Sequence, residues 1–159
     1  MSTGQFTEIL KKCEIFGDLS DPELRPIAQL GRIETFEAGE AIHEQGNLGT
    51  KLYILSKGQV SLERKVDLGN SRQGNVTVFV LRERPNRRLM GGWSMLVGKE
   101  HVQMCSAVCN TPTQVVSILC SDLKAVLNEN SGIRIKILER LVLLLRDRID
   151  SSYGAIETL

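Results

Sequence analysis

Aromatic residues are scarce: one tryptophan, two tyrosines and four phenylalanines in 159 residues. That argues against a single-strand-binding platform, which stacks bases on repeated aromatic faces. Long hydrophobic runs are missing too. The longest, Leu141 to Leu145, covers five residues, against about 20 needed to cross a bilayer. Met1 to Leu10 is polar and lacks the apolar stretch of a signal peptide. A cytoplasmic location is the default expectation, with no membrane partner. Neither sign of charge dominates: 20 Lys and Arg meet 19 Asp and Glu, a net charge of +1, so no global field favours nucleic acid. Cys13, Cys105, Cys109 and Cys120 form no CxxC pair, and His43 and His101 are far from a ligand pattern. The cysteines read as small buried hydrophobes, with Cys105 and Cys109 on one strand face, and no metal is expected. Glycine-rich loops ending in Lys-Ser or Lys-Thr, Ser/His/Asp signatures and His/Glu metal patterns are absent as well. No catalytic residue is nominated, and no enzyme is expected.

What is present is an ordinary globular composition, 42% apolar and 25% charged, at a length that suits one domain with a real core. The pattern runs helix, strands, helix, and divides the domain into N-terminal helices (1–31), a strand-rich middle (32–120), C-terminal helices (121–150) and a tail (151–159). Phe6, Ile9, Leu10 and Cys13 recur at helical spacing. Ser20 and Glu23 have the spacing of a capping box, and Pro26 predicts that the helix they start is short or kinked. From Arg32 to about Leu119 short strand-like runs alternate with turn residues, the signature of a barrel or sandwich. Ser56-Lys57-Gly58 reads as a hairpin turn between Lys51–Leu55 and Gln59–Leu62, and Gly69 to Asn75 as a polar loop. Ser121 is placed to cap a short helix through Leu127, and Asn130 or Ser131 a long one over 132–150. On that long helix Ile137, Leu141 and Leu144 form one stripe, with Leu138, Val142, Leu145 and Ile149 beside it. So wide an apolar face predicts a helix packed on both sides. One side meets the strands. The other meets a second copy, through a seam of Ile137, Leu138, Leu141, Leu144 and Leu145, or else the same domain buries both.

Residues 16–149 resemble the cyclic-nucleotide-binding domain of catabolite activators, kinase regulatory subunits and gated channels. The residues that carry the resemblance are Ile15-Phe16-Gly17-Asp18-Leu19-Ser20 with Glu23-Leu24, then Phe36-Glu37-Ala38-Gly39-Glu40-Ala41-Ile42, Glu44-Gln45-Gly46, and Leu52 to Val60. The resemblance implies a mainly β domain: an antiparallel β-roll, jelly-roll-like or a double-stranded β-helix, with short N-terminal helices and a long C-terminal one. It also implies a ligand cassette between two strands. There a short helical turn offers backbone N–H groups to a phosphate, an arginine bonds the same anion, and a glutamate accepts the ribose hydroxyl.

The matching stretch here is Gly91 to Ala107, with Gly92, Trp93, Ser94, Gln103, Met104 and Ser106 as candidate site residues. It departs from the family at both specific positions: Trp93 stands at the glutamate and Gln103 at the arginine. The pocket then either uses Gln103 as a neutral donor with the hydroxyls of Ser94 or Ser106, or binds nothing, with Trp93 filling it. Backbone N–H groups after Gly92 are expected to remain free for a small anion. Arg87, Arg88 and Lys99 are the auxiliary cations within reach in sequence, although Arg82 to Arg88 reads first as a solvated turn. The expectation is a stand-alone, non-catalytic regulatory or sensory module, a cytoplasmic homodimer with a protein partner in view. It requires no cofactor and binds cAMP and cGMP weakly or not at all. A receptor for cyclic nucleotide with an atypical pocket, or a dimeric scaffold, is the alternative. Only ten residues follow Ile149, so no DNA-binding domain is expected.

Overall fold

A computed structural model describes all 159 residues. Two capping boxes start the N-terminal helices: Ser2 with Gln5 opens α1 (Thr3–Lys11), and Ser20 with Glu23 opens α2 (Asp21–Ala28). In the second, the Ser20 N–H donates to Glu23 Oε1 at 3.0 Å while the Glu23 N–H donates to Ser20 Oγ at 3.4 Å. Pro26 lies inside α2, which stays as short as its proline requires.

Eight strands follow: β1 (Arg32–Phe36), β2 (Ala41–His43), β3 (Lys51–Lys57), β4 (Val60–Gly69), β5 (Arg72–Leu81), β6 (Leu89–Gly91), β7 (Ser106–Cys109) and β8 (Thr113–Leu119). They form two antiparallel four-stranded sheets, in the orders β1-β8-β3-β6 and β2-β7-β4-β5. This is the β-roll with flanking helices.

Two turns differ from the sequence reading. Ser56-Lys57-Gly58 is not a hairpin, because β3 pairs with β6 and β8 while β4 pairs with β5 and β7. The turn instead carries the chain from one sheet to the other. Gly58 is needed there: its φ is +107°, and a Cβ would stand 2.7 Å from the Pro112 carbonyl oxygen. The actual hairpin joins β4 to β5 through Asn70 and Ser71, both at positive φ (52° and 60°), as a tight two-residue turn demands. Most of the expected loop 69–75 is therefore strand.

Helix α3 (Cys120–Asn128) begins one residue before Ser121, which caps nothing. Helix α4 (Ser131–Glu157) starts where expected but runs on through most of the predicted tail. Tertiary contact outweighs the weak helix formers at its end: the Ser151 hydroxyl donates to the Val78 carbonyl of β5.

The core has two parts. Inside the roll lie Leu55, Val60, Leu81, Met90, Ala107, Cys109 and Val115. Between the roll and the helices lie Leu10, Phe16, Leu24, Ile27, Ile54, Ile118 and Leu127, joined by Ile133, Ile137, Leu141 and Leu144 from α4. Three predicted seam residues, Ile137, Leu141 and Leu144, are thus consumed by the chain's own core. Leu138 and Leu145 remain half-buried beside it.

Candidate functional site

The cassette begins where β6 ends. Gly91 adopts φ +116°, and any side chain there would strike the Lys51 carbonyl; a Cβ on Gly92 would lie 2.5 Å from the Gly49 carbonyl oxygen. The glycine pair thus lets three backbone segments meet. A 3₁₀ turn, Trp93–Val97, follows and ends at Gly98 in the left-handed region (φ +77°). The return segment is laced to the β2–β3 loop. Gly46 N–H donates to the Gln103 carbonyl at 2.9 Å, Gln103 N–H to Asn47 at 2.9 Å, and Gly49 N–H to His101 at 2.7 Å.

The N–H groups expected to be free are mostly occupied. That of Met95 donates to the Gly92 carbonyl at 3.1 Å. That of Ser94 points at Nδ1 of His101 at 3.3 Å, and Ser94 Oγ is 2.7 Å from the same nitrogen. His101 is buried, and burial pushes its pKa down, with Gln103 acting in the opposite sense. The ring is therefore neutral near pH 7. Trp93 packs edge-on against it, ring centroids 4.8 Å apart, and rests on the core beneath the helices. An uncharged imidazole stands where the cassette turn offers its donors.

The other predicted site residues are tied down nearby. Gln103 is 4% exposed, its amide pressed on Gly49. Ser106 Oγ accepts the Gln45 N–H at 2.9 Å. Met104 is exposed, and its carbonyl accepts from Arg64. Lys99 is exposed, with no ion pair. Arg87 and Arg88 do not supply the missing cation. The Arg88 guanidinium is buried and donates to the carbonyls of Arg84, Leu55 and Ser56. Arg87 lies 4.8 Å over the Phe79 ring and donates to the Val80 carbonyl. No group of His, Cys, Asp and Glu comes together to hold a metal.

With the roll and its cassette in place, solved structures resemble the chain closely in shape. A cyclic nucleotide-binding domain from Methylobacillus flagellatus covers 98% of this chain and 84% of its own, at TM-score 0.76 and 23% identity. The chain has the fold of the cyclic-nucleotide-binding domain. The sensor domain of the transcriptional regulator DNR from Pseudomonas aeruginosa shares this fold, at TM-score 0.68 and 19% identity, over 93% of each chain. In sequence, the cyclic-nucleotide-binding-like chain is 31% identical to a global nitrogen regulator of Nostoc sp. over 127 residues, 80% of this chain and 52% of that protein. The corresponding regulator of Synechococcus elongatus is 31% identical over 128 residues, 80% of this chain and 53% of that one. The chain thus spans about half the length of the curated relatives it matches. No family model matches it. No helix is long and apolar enough to cross a membrane.

One buried polar cluster escaped the sequence reading. Glu14, after α1, accepts the N–H groups of Arg88 and Leu89 at 2.9 and 3.0 Å and pairs with Arg148 of α4 at 2.9 Å. Arg148 also donates to the Leu89 carbonyl at 2.8 Å and lies 4.1 Å over the Phe79 ring. Its signal was available: residue 148 continues the buried stripe 137, 141, 144, so a charge sits on a core-facing position. The pair fastens α4 to the root of β6, two residues before the cassette glycines.

Proposed function

We propose that this chain is a non-catalytic regulatory module whose cassette is closed by its own side chains, and that it binds cAMP and cGMP weakly or not at all. The observation that carries this reading is His101, whose Nδ1 takes up the Ser94 N–H and faces its hydroxyl. A phosphate arriving there must evict a neutral ring, and finds neither the arginine nor the glutamate that the family supplies. Each hydrogen bond to a charged group contributes about 1.5–3 kcal/mol, so two missing ones weaken affinity roughly a hundred- to ten-thousandfold. Calorimetric titration with cAMP and cGMP should show Kd near millimolar or no heat. Trp93→Glu with Gln103→Arg should create or strengthen binding, and Gln103→Arg alone should do less. Sub-micromolar binding by the unmodified chain would reverse the reading in favour of a receptor with an atypical pocket.

A second observation favours a dimer. Beside the buried stripe of α4 runs another, Ile135, Leu138, Val142, Leu145, Ile149 and Ile156, spaced alternately by three and four residues except at Ser152. Val142 is 66% exposed and Ile156 60%. β-Branched residues fill the first position of each heptad and leucine the fourth, the pattern that favours a parallel two-stranded coiled coil. The seam drawn from sequence therefore shifts by one stripe, keeping Leu138 and Leu145. Sedimentation should show dimers at tens of micromolar, and Val142→Glu with Ile149→Glu should release folded monomers. A monomeric unmodified chain would refute the seam.

A further inference from the structure

A groove runs between the free edge of β5 and α4, and none of its lining residues belongs to the cassette. Its centre is Phe79, with Arg87 on its ring, opposite Ser151 of α4. Two hollows open on either side of this point. The one toward the helix is walled by Glu14, Asp147 and Asp150 as well as Arg87 and Arg148, so its charges nearly cancel. The other, about 360 Å³, is lined by Thr77, Arg82, Arg84 and Arg87 with Ser151 and holds no carboxylate.

The arginines of this second hollow sit on a clamped turn. Arg82 N–H donates to the Arg87 carbonyl at 3.2 Å, Asn86 N–H to Lys12 at 3.1 Å, and the buried Arg88 guanidinium to the Arg84 carbonyl at 2.9 Å. Glu83, the acid within the turn, is turned away to accept the Gly58 N–H at 3.1 Å. None of Arg82, Arg84 and Arg87 has an ion-pair partner. Arg82 spends one donor on Gln59 and Arg87 one on Val80, while the Arg84 side chain makes no hydrogen bond. Each guanidinium carries five N–H donors, so most are unspent.

The geometry points to a binding site for a compact phosphoryl anion in this hollow. Three arginines from one turn, with Thr77 of β5 and Ser151 of α4, line the hollow. A tetrahedral phosphate accepts from several directions, whereas one planar carboxylate is satisfied by a single bidentate fork. Val78 is the extra residue of a β-bulge, between the pairs Leu62–Phe79 and Glu63–Thr77, and its carbonyl receives the Ser151 hydroxyl. The hollow therefore closes where α4 is hydrogen-bonded to β5. An anion held there links the turn to α4 and stiffens the helix on the roll. This site is independent of whether the cassette is closed.

The test is calorimetry on the full chain with inorganic pyrophosphate, and with citrate as a carboxylate of comparable charge. The unmodified chain should bind pyrophosphate. Arg84→Gln with Arg87→Gln should weaken it by about tenfold or more, the worth of one charge-assisted bond. Arg84→Glu, which disturbs no hydrogen bond of the fold, should abolish it. Arg134→Gln with Arg146→Gln removes the same charge from exposed positions on α4 and should leave affinity nearly unchanged. Absence of pyrophosphate binding, equal weakening in both double variants, or citrate binding as tightly as pyrophosphate would each overturn the assignment.

Discussion

The two apolar stripes of α4 differ by one residue in register and, at the β-branched positions of the second, sharply in exposure. Ile137, Leu141 and Leu144 are each no more than 5% exposed, whereas Val142, the neighbour of Leu141, is 66% exposed. Beside the buried stripe, Lys136 pairs with Glu23 and Arg140 with Asp18, and on the stripe itself Arg148 pairs with Glu14. The exposed stripe carries none. A single helix thus serves the fold on one side and offers an uncovered face on the other. Substitutions one position apart should separate stability from assembly.

The largest effect is expected at the polar end of the buried stripe. Glu14→Ala leaves the Arg148 guanidinium buried without its partner and two backbone N–H groups unanswered. Breaking such a pair costs about 3–5 kcal/mol. Denaturant unfolding should register that loss, while Arg148→Met, which leaves Glu14 the N–H donors of Arg88 and Leu89, should cost less. Next comes the direct contrast. Leu141→Ala should destabilise by about 2–5 kcal/mol, and Val142→Ala by about 0.5 kcal/mol or less at concentrations where the chain is monomeric. Equal losses would mean that the two stripes are not distinct.

Acid sharpens the comparison in another way. No residue of the exposed stripe titrates, but the roll on which the buried stripe rests holds His43. Neither ring nitrogen of His43 has a partner, and burial pushes its pKa down to about 4. A base whose pKa is lower in the folded state favours folding when neutral. Stability is therefore complete above the unfolded value of 6.5 and declines as the pH falls from there toward about 4, with His101 acting in the same direction. The His43 contribution amounts to about 3 kcal/mol at most. Urea midpoints measured across this window should fall with acid, and His43→Leu should flatten the curve. The most local effect belongs to Ser151→Ala. It removes one hydrogen bond to the Val78 carbonyl, about 1 kcal/mol, and should speed hydrogen exchange in the last turns of α4 with little change elsewhere.

Much of this architecture was legible in the residues. The Ser20–Glu23 spacing predicts the capping box that starts α2, and Gly58 marks a real turn at positive φ. The hairpin at Gly58 failed because a turn between two sheets and a turn within one ask for the same glycine. The end of α4 failed because Ser151, Ser152 and Gly154 are poor helix formers, and only contact with β5 overrides them. Periodicity revealed that α4 is apolar over a wide arc, but not which half the chain covers with its own core. In the cassette the loss of arginine and glutamate could be read directly. The imidazole that occupies the vacated donors could not: His101 lies seven residues from Ser94, and nothing in that spacing foretells a ring folded back onto the turn.

The solitary tryptophan gives the cassette an optical address. Trp93 is the chain's one indole, and its ring meets a buried imidazole edge-on at 4.8 Å. Intrinsic emission excited at the indole band therefore comes from this turn alone, undiluted by signal from the roll or the helices. A charged imidazole quenches an adjacent indole more than a neutral one does. The brightness of the protein thus reports the protonation of His101 and any opening of the cassette, without a label and without a ligand.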